Sequence, residues 1–183
     1  PDSTTISLLF PEIILIAMAT FIFVAGAFRP QPSWWPILAI LTYIATLFAA
    51  LLGIEWQFWE SLVSRQVVAS GPLSLDYLGQ LLRPMTLILG LLLSLLLARS
   101  APRNLASEHA GTLMLAIAGL MIVARANDLV LLFVGLELIS IPTYVLLFLG
   151  RQDRATGEAT AKYFFLSLLS SGLLLYGFSF LYG

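Results

Sequence analysis

One carboxylate carries most of the chemical interest in this sequence. Residues 127–149 read NDLVLLFVGLELISIPTYVLLFL, an apolar run long enough to cross a bilayer, with Glu137 near its middle. At 1.5 Å of rise per residue, Glu137 falls roughly 15 Å into such a helix, the midplane of a hydrocarbon core about 30 Å thick. An acid there costs about 2.5–3.5 kcal/mol on insertion scales, and ionisable groups inside spans are by default functional. Ser140 and Tyr144 follow at i+3 and i+7, which puts them on one stripe with the acid. Pro142 is the expected helix break, because it cannot donate to the Leu138 carbonyl and so frees an acceptor one residue from the acid. An acid, two hydroxyls and a loosened backbone are the parts of a hydrated proton path. The bland alternative is a structural acid bonded to a neighbouring helix.

Other charges lie inside or beside apolar runs. Lys162 follows Glu158 by four residues, the favourable order for a helical ion pair, so spacing alone supports a snorkelling pair as well as a functional cation. Arg83 shares a face with Asp76 and Gln80 and precedes Pro84; snorkelling or pairing with Asp76 would account for it, with proton transfer as a secondary role. Glu12 follows Pro11 and reads as a first-turn acid that suits a helix start. His109, the only histidine, reads as structural, and Ser167, Ser170, Ser171 and Gly172 read as a small-residue packing face.

The elements that hold these residues must be membrane helices. The 183 residues are 60% hydrophobic and 10% charged, against about 25% charged in soluble domains. Six spans are expected: about 6–28, 34–53, 76–98, 110–126, 127–149 and 158–182, with 54–75 as an extramembrane connection. The fold class is therefore all-α integral membrane protein, a single membrane domain over 1–183. RQVVASGPLSL in the connection reads as a short strand or hairpin. Asn127 is the expected cap of the fifth helix. The apolar run in the first 30 residues is too long for a signal peptide and has no basic stretch before it.

Loop charges suggest an orientation. Arg29, Arg99, Arg103, Arg151 and Arg154 lie on one side, against Arg65 and Arg125 on the other. The excess puts the first set in the cytoplasm or its equivalent and both termini on the far side. A bacterial inner membrane is the expected location, with mitochondrial inner and thylakoid membranes as alternatives. Trp34, Trp35, Trp56 and Trp59 fall at span ends, as an interfacial aromatic belt would.

Composition also excludes functions. Without cysteine there is no disulfide, thiolate zinc site or iron–sulfur ligation in these residues, and one histidine cannot build a bis-histidine haem site. A net charge of −1 gives no hint of nucleic acid. No phosphate loop, nucleophile–base pair or metal-ligand spacing occurs.

GLELIS with Pro142 five residues after the acid, EATAKYF, and SSGLLLYG leading to LYG together resemble the antiporter-like membrane subunit N of respiratory complex I, the NADH:quinone oxidoreductase. The same type is called subunit 2 in mitochondria and has a related member in the photosynthetic complex. LLFPEIILI resembles the start of such subunits and SLDYLGQLLRPMTLILGLLL their third helix. The resemblance implies an N-terminal six-helix part of a fourteen-helix fold with an inverted repeat, and proton translocation coupled to quinone reduction elsewhere. It implies that the glutamate matching Glu137 pairs with a lysine on a broken seventh helix, and that Lys162 matches a secondary polar site. Low dielectric favours a neutral carboxyl and a nearby ammonium a carboxylate, so protonation at such a site follows the distance between the partners. The seventh-helix and eighth-helix lysines and the second repeat lie outside these 183 residues, so the chain by itself would not pump. Implied partners are other membrane-arm subunits, the rest of the same subunit and lipid. NADH, FMN, iron–sulfur clusters and quinone would sit in partner subunits, none in this chain. Two other functions fit the residues: a subunit of a multi-subunit cation/proton antiporter or membrane hydrogenase, and a membrane scaffold that transports nothing.

Overall fold

A computed structural model describes residues 9–29, 34–64, 73, 77–100, 102–150 and 153–182, with side-chain surroundings for all of these except 52–64, 77 and 103. It holds helices α1 (Phe10–Phe28), α2 (Trp35–Ser64), α3 (Tyr77–Ser100), α4 (Ala106–Val123), α5 (Leu129–Gly150) and α6 (Arg154–Tyr182), with a 3-10 turn at Arg103–Leu105. The all-α membrane fold is as expected. Among the described residues, five helices are long and apolar enough to cross a membrane, and Trp35–Leu51 adds a shorter apolar stretch.

Several boundaries differ from the sequence expectation. α2 continues to Ser64, so 54–64, expected as connection, is helical. It carries Trp56 and Trp59, whose side chains lie outside the described set. Of the expected hairpin only Leu73 is described; it forms an isolated antiparallel bridge with Ala126. Asp128, next to the expected Asn127, caps α5: its Oδ1 accepts the Val130 N–H at 3.3 Å and its carbonyl accepts Leu132 N–H at 2.9 Å. α6 begins before the expected residue 158 because Asp153 caps it, accepting the Thr156 N–H at 2.7 Å. The Trp pair divides its work. Trp34 is half exposed, as a belt residue is, but Trp35 is buried and donates from Nε1 to the Arg29 carbonyl at 3.1 Å, satisfying an acceptor at the end of α1.

α4 is the centre of the bundle and packs on α1, α2, α3 and α5, whereas α6 packs on α5. The buried core is Leu15, Ala19 and Ile22 of α1, Ala39 and Tyr43 of α2, Leu87 of α3 and Leu113, Met114, Ile117 and Met121 of α4. Small residues let the backbones approach, the usual basis of helix packing in lipid. A Cβ on Gly26 would collide with the Ser107 side chain, and one on Gly119 would sit 2.9 Å from the Gly135 carbonyl oxygen. α6 has no buried residue within the described chain. Phe165, Leu166, Leu173, Phe180 and Leu181 expose apolar surface there, which in a bilayer is lipid-compatible.

Candidate functional site

Glu137 lies eight residues beyond the first residue of α5, about 12 Å along the helix. It is partly buried, and the Ser171 hydroxyl of α6 donates to its Oε1. Sequence reasoning assigned Ser171 to packing and missed this bond. The signal was faint: a serine among serines, with nothing in its spacing to mark its partner 34 residues away.

Among the described residues, further contacts accompany this bond between α5 and α6. Near the start of α5, the Tyr182 hydroxyl donates to Asp128 Oδ1 at 2.7 Å. At the other end, Tyr144 meets Phe164 edge-on, ring centroids 5.3 Å apart, and Tyr163 at 6.4 Å. From Glu137 to Tyr144 is seven residues forward, and from Ser171 to Phe164 is seven residues back. Two helical turns on one helix therefore match two on its antiparallel partner, so one α5 stripe faces one α6 stripe. Ser140, also partly buried, belongs to the α5 stripe. Beyond Glu137 toward the α5 C-terminus, an open apolar cleft of about 350 Å³ lies between the helices, bordered by Tyr144, Phe148, Gly157 and Thr160.

Pro142 does not break α5, which runs unbroken from Leu129 to Gly150. Its ring removes the hydrogen bond to the Leu138 carbonyl without ending the helix. The backbone there is braced from the other side, since a Cβ on Gly119 would lie 2.9 Å from Leu138 C. Thr143 donates to the Ile139 carbonyl at 2.7 Å and bonds the next turn. The expected helix break is thus a freed acceptor inside a continuous helix.

Lys162 is not brought to Glu137. It lies nine residues from Ser171 on α6, about 13 Å along the axis, and donates to Glu158 at 2.5 Å with both side chains largely exposed.

The surprise is Arg83. Asp76 lies outside the described residues, and Arg83 makes a two-pronged contact with Glu12 of α1: Nη2 to Oε2 at 2.6 Å and Nε to Oε1 at 3.2 Å. Arg125 Nη1 lies 3.9 Å from the same Glu12 Oε1. Glu12, Arg83 and Arg125 are 1%, 6% and 2% exposed. The arginine is therefore buried, not snorkelling; Glu12 is more than a first-turn acid; and Arg125, counted as a loop cation, is inside the bundle. Helical spacing could not predict a pair 71 residues apart. Buried charges persist when paired and hydrogen-bonded, and the fork of arginine on a carboxylate is the strong form of such a pair.

His109 is buried as well, with Nδ1 2.8 Å from the Leu105 carbonyl. A carbonyl only accepts, so Nδ1 carries the proton and the ring is held structurally. Among the described residues no group of three or more His, Cys, Asp or Glu could hold a metal.

Residues 126–183 match the family described as NADH:quinone oxidoreductase/Mrp antiporter, TM. This stretch contains Glu137, Ser140, Tyr144, Lys162 and Ser171. Over most of its length the chain is similar to three curated proteins. It is 34% identical to an NADH-quinone oxidoreductase subunit N of Sphingopyxis alaskensis, covering 97% of this chain and 36% of the relative. It is 34% identical to the F(420)H(2) dehydrogenase subunit N of Methanosarcina mazei, covering 94% and 36%. It is 35% identical to an NADH-quinone oxidoreductase subunit N of Methylobacterium nodulans, covering 94% and 35%. The chain thus spans about a third of the length of the curated relatives it matches. Residues 126–183 thus match the NADH:quinone oxidoreductase/Mrp antiporter membrane family, and the chain as a whole, a bundle of apolar helices, is similar to about a third of the length of subunit N proteins.

Proposed function

We propose that this chain is the N-terminal six-helix part of a proton-translocating membrane subunit of a quinone-reducing respiratory complex. Glu137 is its acidic half of a switchable charge pair. The observation that carries the reading is the Glu137 carboxylate in the middle of α5, bonded across to Ser171 of α6. An acid in a span that served packing alone would be replaced at lower cost by a neutral residue. Ser140 and Tyr144 extend the path along the same stripe, and the Leu138 carbonyl freed by Pro142 offers water an acceptor beside the acid. The partner lysine belongs to the remainder of the subunit. Lys162, held by Glu158, is a secondary cation on the exposed side of α6, and Arg83 acts through Glu12 rather than as a proton carrier.

With no cysteine and a single histidine, the sequence offers no ligand set for a redox centre, so NADH, FMN, iron–sulfur clusters and quinone are assigned to partner subunits. Relatives whose names carry two different electron donors match this chain equally well. Donor choice is accordingly a property of other subunits. The remaining partners are the other membrane-arm subunits, the rest of this subunit and lipid, with no role for nucleic acid. We place the protein in a bacterial inner membrane with both termini on the non-cytoplasmic side. The buried position of Arg125 removes it from the loop count and leaves the asymmetry of basic residues steeper.

In the assembled complex, Glu137→Gln is expected to reduce proton pumping at least fivefold while assembly and quinone binding persist. Normal pumping overturns the reading. The family description also covers Mrp antiporters, which keeps a cation/proton antiporter as the second reading. Co-purification with a flavin and iron–sulfur arm supports the first, and its absence with sodium-dependent proton exchange supports the second. A neutral phenotype for Glu137→Ala would leave only a scaffold.

A further inference from the structure

We propose that Arg125 is a positioning residue for Glu137, acting through the buried Glu12–Arg83 pair; the inference rests on the reading of Glu137 given above. α5 packs mainly on α4 and α6, so the place where its chain begins has unusual leverage over where its acid ends up. That beginning is tied down at three closely spaced residues. Arg125 reaches Glu12 of α1 at 3.9 Å, and Glu12 is gripped by Arg83 of α3. Ala126 pairs with fully buried Leu73. Asp128 caps α5 and accepts the Tyr182 hydroxyl of α6. The turn from α4 to α5 is therefore fastened to α1, to Leu73 and to α6, and through Glu12 to Arg83 of α3.

From Asp128 the helix runs nine residues to Glu137, about 13 Å, with its hydrogen-bond ladder intact up to that point. A stiff helix carries a displacement at its start to its middle. The hydrogen bond from Ser171 tolerates only a few tenths of an ångström before it weakens, and a charge pair formed with a distant lysine is equally sensitive to position. A misplacement of about 1 Å at a reacting group can cost two orders of magnitude in rate.

The contact with Glu12 is the adjustable member of the set. The carboxylate is held at 2.6 Å by Arg83 and at 3.9 Å by Arg125, so one acid is shared unequally between two guanidinium groups. Removing the Arg125 charge leaves the tight pair in place and loosens the turn, which separates this role from simple stability of the bundle.

The test uses the complete complex carrying the full-length subunit, reconstituted in liposomes. Arg125→Gln and Arg125→Lys are compared with Glu137→Gln for protons moved per quinone reduced, normalised to assembled complex. The infrared carbonyl-stretch band that Glu137→Gln removes is followed in the same samples. Arg125→Gln is expected to lower the proton ratio at least threefold per assembled complex and to shift that band, and Arg125→Lys is expected to restore most of both. A merely structural Arg125 gives less assembled complex with an unchanged ratio and an unmoved band, which overturns the proposal. If Arg125→Gln does not assemble, Glu12→Asp is read by the same criteria and is expected to give a partial loss and a smaller band shift; an unchanged ratio and an unmoved band overturn it. Normal pumping by Glu137→Gln instead defeats the underlying reading and this inference with it. Loss in Glu137→Gln with a normal Arg125→Gln defeats the positioning role alone.

Discussion

The contact between α4 and α5 allows a quantitative prediction at Gly119. A Cβ placed there would lie 2.9 Å from the Gly135 carbonyl oxygen, 2.9 Å from Leu138 C and 2.9 Å from Ile139 Cγ1. Ordinary contact begins at 3.4 Å. Two of the three obstacles are backbone, which cannot rotate away, so Gly119→Ala must push α5 back by roughly 0.5 Å at the level of Glu137. Overpacking of a tight interface costs about 1–3 kcal/mol, which corresponds to roughly fivefold to 150-fold in the unfolding equilibrium. The same displacement stretches the Glu137–Ser171 bond and lowers proton pumping. Thermal and denaturant unfolding of the purified subunit, with pumping in vesicles, measures both effects. Gly135→Ala should cost about as much, because its Cβ would meet the Val123 Cγ2 methyl at 2.7 Å, Ile122 Cγ2 at 3.1 Å and the Val123 backbone N at 3.2 Å, and the β-branched side chains are stiff. Gly177→Ala meets no atom of the described residues within 4 Å, so no overpacking arises among them. Wild-type stability and pumping in Gly119→Ala would refute the packing argument and the tie between this contact and the acid.

Arg83→Met leaves the 1% exposed Glu12 with the looser Arg125 contact at 3.9 Å and should destabilise the bundle by up to about 3–5 kcal/mol, with Glu12→Leu/Arg83→Met recovering part; unfolding of the single and double variants checks this. Ser171→Ala removes the donor to Glu137 and should slow pumping severalfold while Ser171→Thr, which keeps a hydroxyl, retains most of it; turnover in vesicles decides. Asp128, at the α5 cap, is held below the usual carboxylate range, first by the Tyr182 hydroxyl and then by the Val130 N–H. A depressed value contributes stability above the ordinary carboxylate range that is lost as pH falls through the folded value. Tyr182→Phe should therefore lower the melting temperature at neutral pH, and the difference from wild type should shrink as the pH is lowered below about 4.

Local rules made the helices legible. Runs of apolar residues located all six, and the depth of Glu137 within its run singled it out before any contact was known. The ends were less legible because several residues can cap. Asn127 and Asp128 are adjacent candidates, and the carboxylate of Asp128 also receives Tyr182. α6 begins at Arg154 because Asp153 offers a cap that the apolar pattern does not register. α2 outruns its apolar stretch because polar residues such as Glu55 and Gln57 are good helix formers even where hydropathy falls. The long-range polar contacts were not legible at all. Glu12 with Arg83 and Glu137 with Ser171 join helices 71 and 34 residues apart, and helical periodicity informs only on neighbours within a face. Arg125 shows the same limit: a cation in a short turn reads as solvated, yet here the turn folds over Glu12.

As the subunit's acidic switch, the Glu137 carboxyl should change protonation while the complex works. Infrared difference spectroscopy of the complete complex during turnover reads that directly, in the carbonyl-stretch region of protonated carboxylic acids. A carboxyl that takes up its proton during turnover gives a band that appears with quinone reduction, shifts on exchange into heavy water and is absent in Glu137→Gln. A turnover difference spectrum of Glu137→Gln identical to wild type would contradict it.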